Sequence, residues 1–139
     1  MAKPVEFVDA ENLAELIKDP TKEPGKDYLV VDVRDDDYVC GHIPGAINIP
    51  SHTLADEVNK LIDNYGQVPE IFFHCALSQQ RGPSSARVYS ETLLQKDTKT
   101  SQKIQILRGG FVQWQEKYKD DPQLVEDYDK DAWEQMEYY

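Results

Sequence analysis

Cys75 and Arg81 are the residues whose types and spacing could do covalent chemistry. They bracket the stretch "CALSQQR", with five residues between them. The cysteine ends an apolar run, "EIFFHC" (70–75), and the arginine is followed by Gly-Pro and a run with helical spacing. In a parallel α/β sheet, sites form at the carboxyl ends of strands. A loop that closes there into a helix N-terminus turns several backbone N–H groups toward one point and makes an anion-binding nest. Ala76, Leu77, Ser78, Gln79 and Gln80 would line that nest. Arg81 could grip two oxygens of a tetrahedral oxyanion at once. The arginine and the helix dipole both favour a thiolate. A thiolate beside a bound oxyanion is a nucleophile, and Arg81 would stabilise the charge of its transition state. A cysteine after "IFF" could instead be core packing. The Cys–Arg spacing alone is a weak signal; the strand before it and the helix start after it give it weight.

The elements that must position this loop follow from hydrophobic periodicity. "VEFVDAENLAELI" reads as a strand and then a helix, with Asp9 as N-cap and Leu13, Leu16 and Ile17 on one face. "YLVVDV" (28–33) is a buried strand, and His42 to Ile49 a short extended segment broken by Pro44 and Gly45. Leu54, Val58, Leu61 and Ile62 mark a helix over 51–65. A further helix is expected over 83–95, with Pro83 at its first position, where a missing N–H costs nothing. "KIQIL" (103–107) is a strand, and "GGFVQWQEKY" opens a helix. The acidic segment 120–139 is expected as a docked last helix. There is no internal repeat and no linker. Strands alternating with helices argue for one α/β domain over residues 1–139, a five-stranded, mostly parallel sheet with helices on both faces.

The formal net charge of −11 makes nucleic acid and anionic membranes poor partners. A phosphate site on such a surface needs strong local positive potential, so the four arginines, Arg34, Arg81, Arg87 and Arg108, are informative. The two cysteines form no disulfide framework, and without a CxxC or CxxH spacing no metal site is expected. No apolar run approaches the roughly 20 residues needed to span a bilayer. "MAKPVEFVDA" lacks the apolar stretch of a signal peptide, so the expected address is cytoplasmic, with the nucleus open to it.

Across nearly its whole length the chain resembles the rhodanese-fold superfamily. "VVDVRDDDYVCGHIPGAINIP" is similar to that family's first signature, an Asp-x-Arg followed by a Gly-His-Ile-x-Gly-Ala turn, and "LRGGFVQWQEKY" to its closing one. Sulfurtransferase members typically carry four residues between the cysteine and the arginine. The five found here resemble the larger loop of the cell-cycle dual-specificity phosphatases and the small eukaryotic arsenate reductases. A wider ring of N–H groups suits a tetrahedral phosphate or arsenate better than a persulfide. The chain departs from the cell-cycle enzymes at Gln80, where they carry glutamate, and at Val33, where their second cysteine aligns.

The resemblance and the loop together imply a cysteine-dependent phosphatase that acts on protein phosphotyrosine, with phosphoserine and phosphothreonine in range, through a cysteinyl-phosphate and without a cofactor. Arsenate reduction with glutathione and glutaredoxin is the alternative chemistry on the same loop, and sulfur transfer ranks third. A non-enzymatic phosphoprotein-binding module is the alternative of a different class. The implied partner is a phosphorylated protein or a small phosphate or arsenate oxyanion. His74, Asp32 and Arg34 read better as structural groups, the last two as an ion pair. Cys40 reads as packing, and Ser78, Ser84 and Ser85 as caps or donors to the thiolate or oxyanion. Asp35, Asp36 and Asp37 follow a strand closely enough to approach the site, and none is singled out as general acid.

Overall fold

Five parallel strands form one sheet in the order β1-β5-β4-β2-β3. The computed structural model describes residues 4–35, 41–96 and 101–135. The strands are β1 (Val5–Val8), β2 (Tyr28–Asp32), β3 (Ile47–Asn48), β4 (Glu70–His74) and β5 (Lys103–Leu107). The helices are α1 (Ala10–Lys18), α2 (Leu54–Tyr65), α3 (Arg81–Gln95), α4 (Gly110–Tyr118) and α5 (Lys130–Gln135). The sheet is wholly parallel among the described residues, and the extended segment expected at 42–49 pairs only as the two-residue β3.

A central parallel strand is covered on both faces, and successive side chains point to opposite sides. On one face, Leu29, Val31, Ile71, Phe73, Ile104 and Ile106 meet Leu54, Val58, Leu61 and Ile62 of α2 and Ala86, Tyr89 and Leu93 of α3. On the other, Tyr28, Val30 and Phe72 meet Leu13 of α1 and Phe111, Val112 and Trp114 of α4. Trp133 of α5 packs into this second cluster, 5.9 Å from the Phe111 ring. Residues 136–139 of the acidic segment lie outside the described residues.

Local expectations change in several places. α2 begins at Leu54 rather than at 51. Of the acidic segment 120–139, only Lys130–Gln135 is helical among the described residues; Pro122 and the left-handed Asp127 (φ 58°) break residues 120–129 into turns and a bridge from Glu126 to His42. α3 starts at Arg81, so Pro83 is its third residue rather than its first. Any of the first-turn positions tolerates proline, because those N–H groups have no intrahelical acceptor. The earlier start makes Arg81 itself the first helical residue. Asp9 precedes α1 at the N-cap position, but its side chain makes no cap hydrogen bond; it pairs with Arg108 instead.

Candidate active site

β4 and α3 present the loop between them at the carboxyl edge of the sheet. Cys75 follows the last residue of β4, and Gln80 immediately precedes α3. Gly82 lets the helix start lie against the strand end, since a Cβ there would come 3.3 Å from the His74 Cα. Cys75, Ala76, Leu77, Gln79, Gln80 and Arg81 line one cavity of about 300 Å³. The sequence-expected loop residues are thus brought together around the sulfur, with one change. Ser78 adopts a left-handed backbone (φ 55°), and its amide donates to the Cys75 Sγ at 3.2 Å. Ser78 lines a neighbouring cavity with Phe7, Arg108 and Gln113, and its hydroxyl is buried without a hydrogen-bond partner among the described residues, so it gives the sulfur a backbone donor only. Ser84 and Ser85 line a groove next to the loop, together with Ser51, Leu54, Val88 and Arg81.

α4 fixes the loop from behind. The amides of Phe111 and Val112 donate to the carbonyls of Cys75 and Ala76, each at 2.9 Å. In a trans peptide the C=O and the following N–H point opposite ways. Turning these two carbonyls toward α4 therefore aims the amides of Ala76 and Leu77 away from it, the orientation an anion nest needs. Gly110 makes the close approach possible. Its φ is +60°, and a Cβ there would lie 2.4 Å from the Ala76 oxygen and 2.6 Å from the Cys75 oxygen.

His74 is fully buried, and its Nδ1 lies 3.1 Å from the Cys75 oxygen. A carbonyl can only accept, so Nδ1 carries the hydrogen. Burial pushes this imidazole below its ordinary pKa, outweighing the pull of Asp32. His74 is a neutral strut for the loop. Asp32 and Arg34 form the expected ion pair, buried, with Nη2–Oδ2 at 2.7 Å and Nε 3.0 Å from both carboxylate oxygens. Arg34 also donates to the Gly41 oxygen at 2.9 Å and lies 4.3 Å over the Phe111 ring. The pair thereby ties the end of β2 to the turn at Gly41 and to α4.

Of the three aspartates the sequence places near the site, Asp35 lies in front of Arg81, in a role the spacing did not assign. The Asp35 Oδ2 accepts from Arg81 Nη1 at 3.2 Å and from Ser51 Oγ at 2.7 Å. Asp35 Oδ1 accepts from His52 Nδ1 at 2.8 Å and from the His52 amide at 3.3 Å. Burial alone would raise this carboxyl, but the hydrogen bonds from Ser51, His52 and Arg81 hold it well below the usual carboxylate range. Asp35 is an anion here and carries no proton to donate. Asp36, Asp37 and Cys40 lie outside the described residues. Among the described residues no three His, Cys, Asp or Glu side chains come together as a metal site, and no helix is long and apolar enough to cross a membrane.

Residues 9–117 match the family model of the rhodanese-like domain. The chain belongs to that family. This rhodanese-like chain is 34% identical over 119 residues to the dual specificity phosphatase ibp1 of Schizosaccharomyces pombe, covering 75% of its own length and 86% of the relative. It is 33% identical over 117 residues to arsenate reductase 2.2 of Oryza sativa, covering 83% of itself and 76% of that protein. Its fold is similar to that of a yeast protein tyrosine phosphatase of the rhodanese family, with a TM-score of 0.75, 30% identity, and coverage of 96% and 99% of the two chains.

Proposed function

We propose that this rhodanese-like protein is a cysteine-dependent phosphatase that hydrolyses protein phosphotyrosine, and phosphoserine or phosphothreonine as well. The carrying observation is that Cys75, the loop residues and Arg81 line one cavity, with the Ser78 amide donating to the sulfur. The Cys75 thiolate attacks phosphorus in line; an S–P bond forms and the ester P–O bond breaks. The departing oxygen takes a proton from the substrate monoanion or from water, since Asp35 is held as an anion. Arg81 and the loop amides hold the equatorial oxygens through the transition state. Water then attacks the cysteinyl-phosphate, the S–P bond breaks, and inorganic phosphate leaves with the thiolate restored. The similarity to ibp1 and to the yeast tyrosine phosphatase supports this chemistry. Hydrolysis of an aryl phosphate and a phosphotyrosine peptide by the wild-type protein, abolished in Cys75→Ser, tests it.

Arsenate reduction is the second reading, favoured by the similarity to the rice arsenate reductase. The same loop would hold arsenate, and Cys75 would displace water from arsenic(V) to form an S–As bond. A glutathione thiolate would attack that sulfur, giving a mixed disulfide while two electrons reduce the arsenic to arsenite. Glutaredoxin with a second glutathione would release the disulfide and restore Cys75. Arsenate-dependent glutathione oxidation discriminates; its absence beside full phosphatase activity removes this reading.

A further inference from the structure

We propose that Asp35 is the residue that positions Arg81 over the loop cavity, and that Ser51 and His52 hold Asp35 in place for that purpose. The proposal rests on the reading of Arg81 as the oxyanion-binding arginine. Three segments distant in sequence converge here: the residue after Arg34, the residues leading into α2, and the first residue of α3. Arg81 lines both the loop cavity and the adjoining groove of about 300 Å³ that runs past Ser51, Leu54 and Val88. The bond from Nη1 to Asp35, at 3.2 Å, restrains where its long side chain lies between the two.

A surface ion pair is the simpler account, and it falls short on one point. With side chains 32% and 25% exposed, the Arg81–Asp35 contact contributes little to stability. A carboxylate that merely meets an arginine in solvent does not need further restraints. Asp35 is restrained, among the described residues, by the Ser51 hydroxyl, the His52 ring and the His52 amide. An anchored acceptor is what fixes the orientation of a mobile cation, because the guanidinium can only keep the bond by adopting one geometry. A negative charge near a dianion site would repel substrate. With donors from Ser51, His52 and Arg81 on both its oxygens, Asp35 presents a largely compensated charge, so orientation outweighs repulsion. Asp35 is a positioning residue and does not touch the reacting atoms.

The test compares wild type, Asp35→Ala, Asp35→Asn, Arg81→Lys and the Asp35→Ala/Arg81→Lys double variant. Two readouts are used: kcat/KM for an aryl phosphate, and the Kd for tungstate as an oxyanion probe. Asp35→Ala should lower kcat/KM and weaken tungstate binding by roughly tenfold or more, the scale of a lost charge-assisted bond that orients a group. Thermal unfolding should move far less than turnover. Arg81→Lys should be severe alone, and Asp35→Ala should cost little more in the Arg81→Lys background, because Asp35 acts through Arg81. Asp35→Asn keeps the shape and serves if the alanine variant fails to fold. An Asp35 variant as active as wild type, or losses that multiply independently, overturns the proposal. A wild-type protein that binds tungstate but hydrolyses nothing sinks the phosphatase reading and leaves the tungstate affinities to decide Asp35. Binding of no oxyanion by wild type overturns both.

Discussion

The amide of Phe111 donates to the carbonyl oxygen of Cys75 at 2.9 Å, so the cysteine loop is held by the N-terminus of a helix that contributes no side chain to the loop cavity. The closing signature of the family thereby acquires a physical role. Gly110 lets α4 come close enough to take the carbonyls of Cys75 and Ala76, which turns the amides of Ala76 and Leu77 away from α4.

Gly110→Ala tests this support. Its Cβ would meet two carbonyl oxygens inside any allowed contact, at a φ of +60° that already disfavours a side chain. A loss of about 1–3 kcal/mol in stability is expected from the strained backbone. Oxyanion affinity should fall by more than the same stability loss causes when introduced in the exposed part of α2. Equal effects on the two would mean that α4 does not shape the loop.

Replacing Arg34 with methionine leaves the Asp32 carboxylate buried without its partner. Removing one member of a buried pair typically costs about 3–5 kcal/mol. The Arg34 side chain is 1% exposed and that of Asp32 0%, so solvent cannot substitute. Denaturant unfolding should show a large drop in midpoint. An unchanged midpoint would contradict the assignment of this pair as the tie between β2 and the turn at Gly41.

His74 makes stability depend on pH. Its folded-state pKa is lowered by burial, while an unfolded histidine titrates near 6.5. Below about pH 6.5 the unfolded chain takes up a proton that the folded one refuses, so stability falls as pH drops through that value. Melting of wild type and of His74→Gln between pH 7.5 and pH 5 checks the sign. The wild type should lose more on acidification; equal losses would rule out a buried neutral His74 as the source.

Val33 sits where a second thiol could guard the first. Its amide donates to the His74 oxygen at 2.8 Å, one step beyond the Asp32–His74 register pair. One further step along two parallel strands sets Val33 beside Cys75, at the roughly 4.8 Å strand spacing. That lies within the Cα range of about 4.4–6.8 Å that a disulfide accepts. Both side chains are buried in the same cluster. Peroxide should inactivate wild type, with thiols reversing it only early in exposure, before over-oxidation. Val33→Cys should instead yield a disulfide to Cys75 that thiols reverse fully. Irreversible loss in both proteins would show that the geometry does not permit the bond.

The sheet was legible in the sequence because the β-branched runs at 28–33 and 103–107 have no alternative to burial. The loop was legible because cysteine and arginine stand at fixed places on a strand end and a helix start. β3 was legible as an extended segment over 42–49 but not in its extent: only Ile47 and Asn48 pair with β2, and Asn48 adds side-chain bonds to the backbone oxygens of Asp32 and Arg34 at 2.9 and 3.0 Å. The start of α3 was misplaced because proline is tolerated anywhere in a first turn. Asp35 was seen near the site and left without a role, because its meaning lies in contacts to Ser51, His52 and Arg81, which local spacing does not encode. The acidic residue immediately after the Asp-x-Arg was the available signal.

Phosphorylation of Cys75 during turnover is the step on which the proposed phosphatase rests. Rapid mixing of the wild-type protein with an aryl phosphate, acid quenching and mass mapping of the cysteine peptide measures this directly. A burst of the aryl alcohol matching the enzyme concentration is expected, with phosphate carried on Cys75 and neither signal in Cys75→Ser. Hydrolysis that persists in Cys75→Ser, or turnover by wild type with no phosphate ever on Cys75, would contradict it.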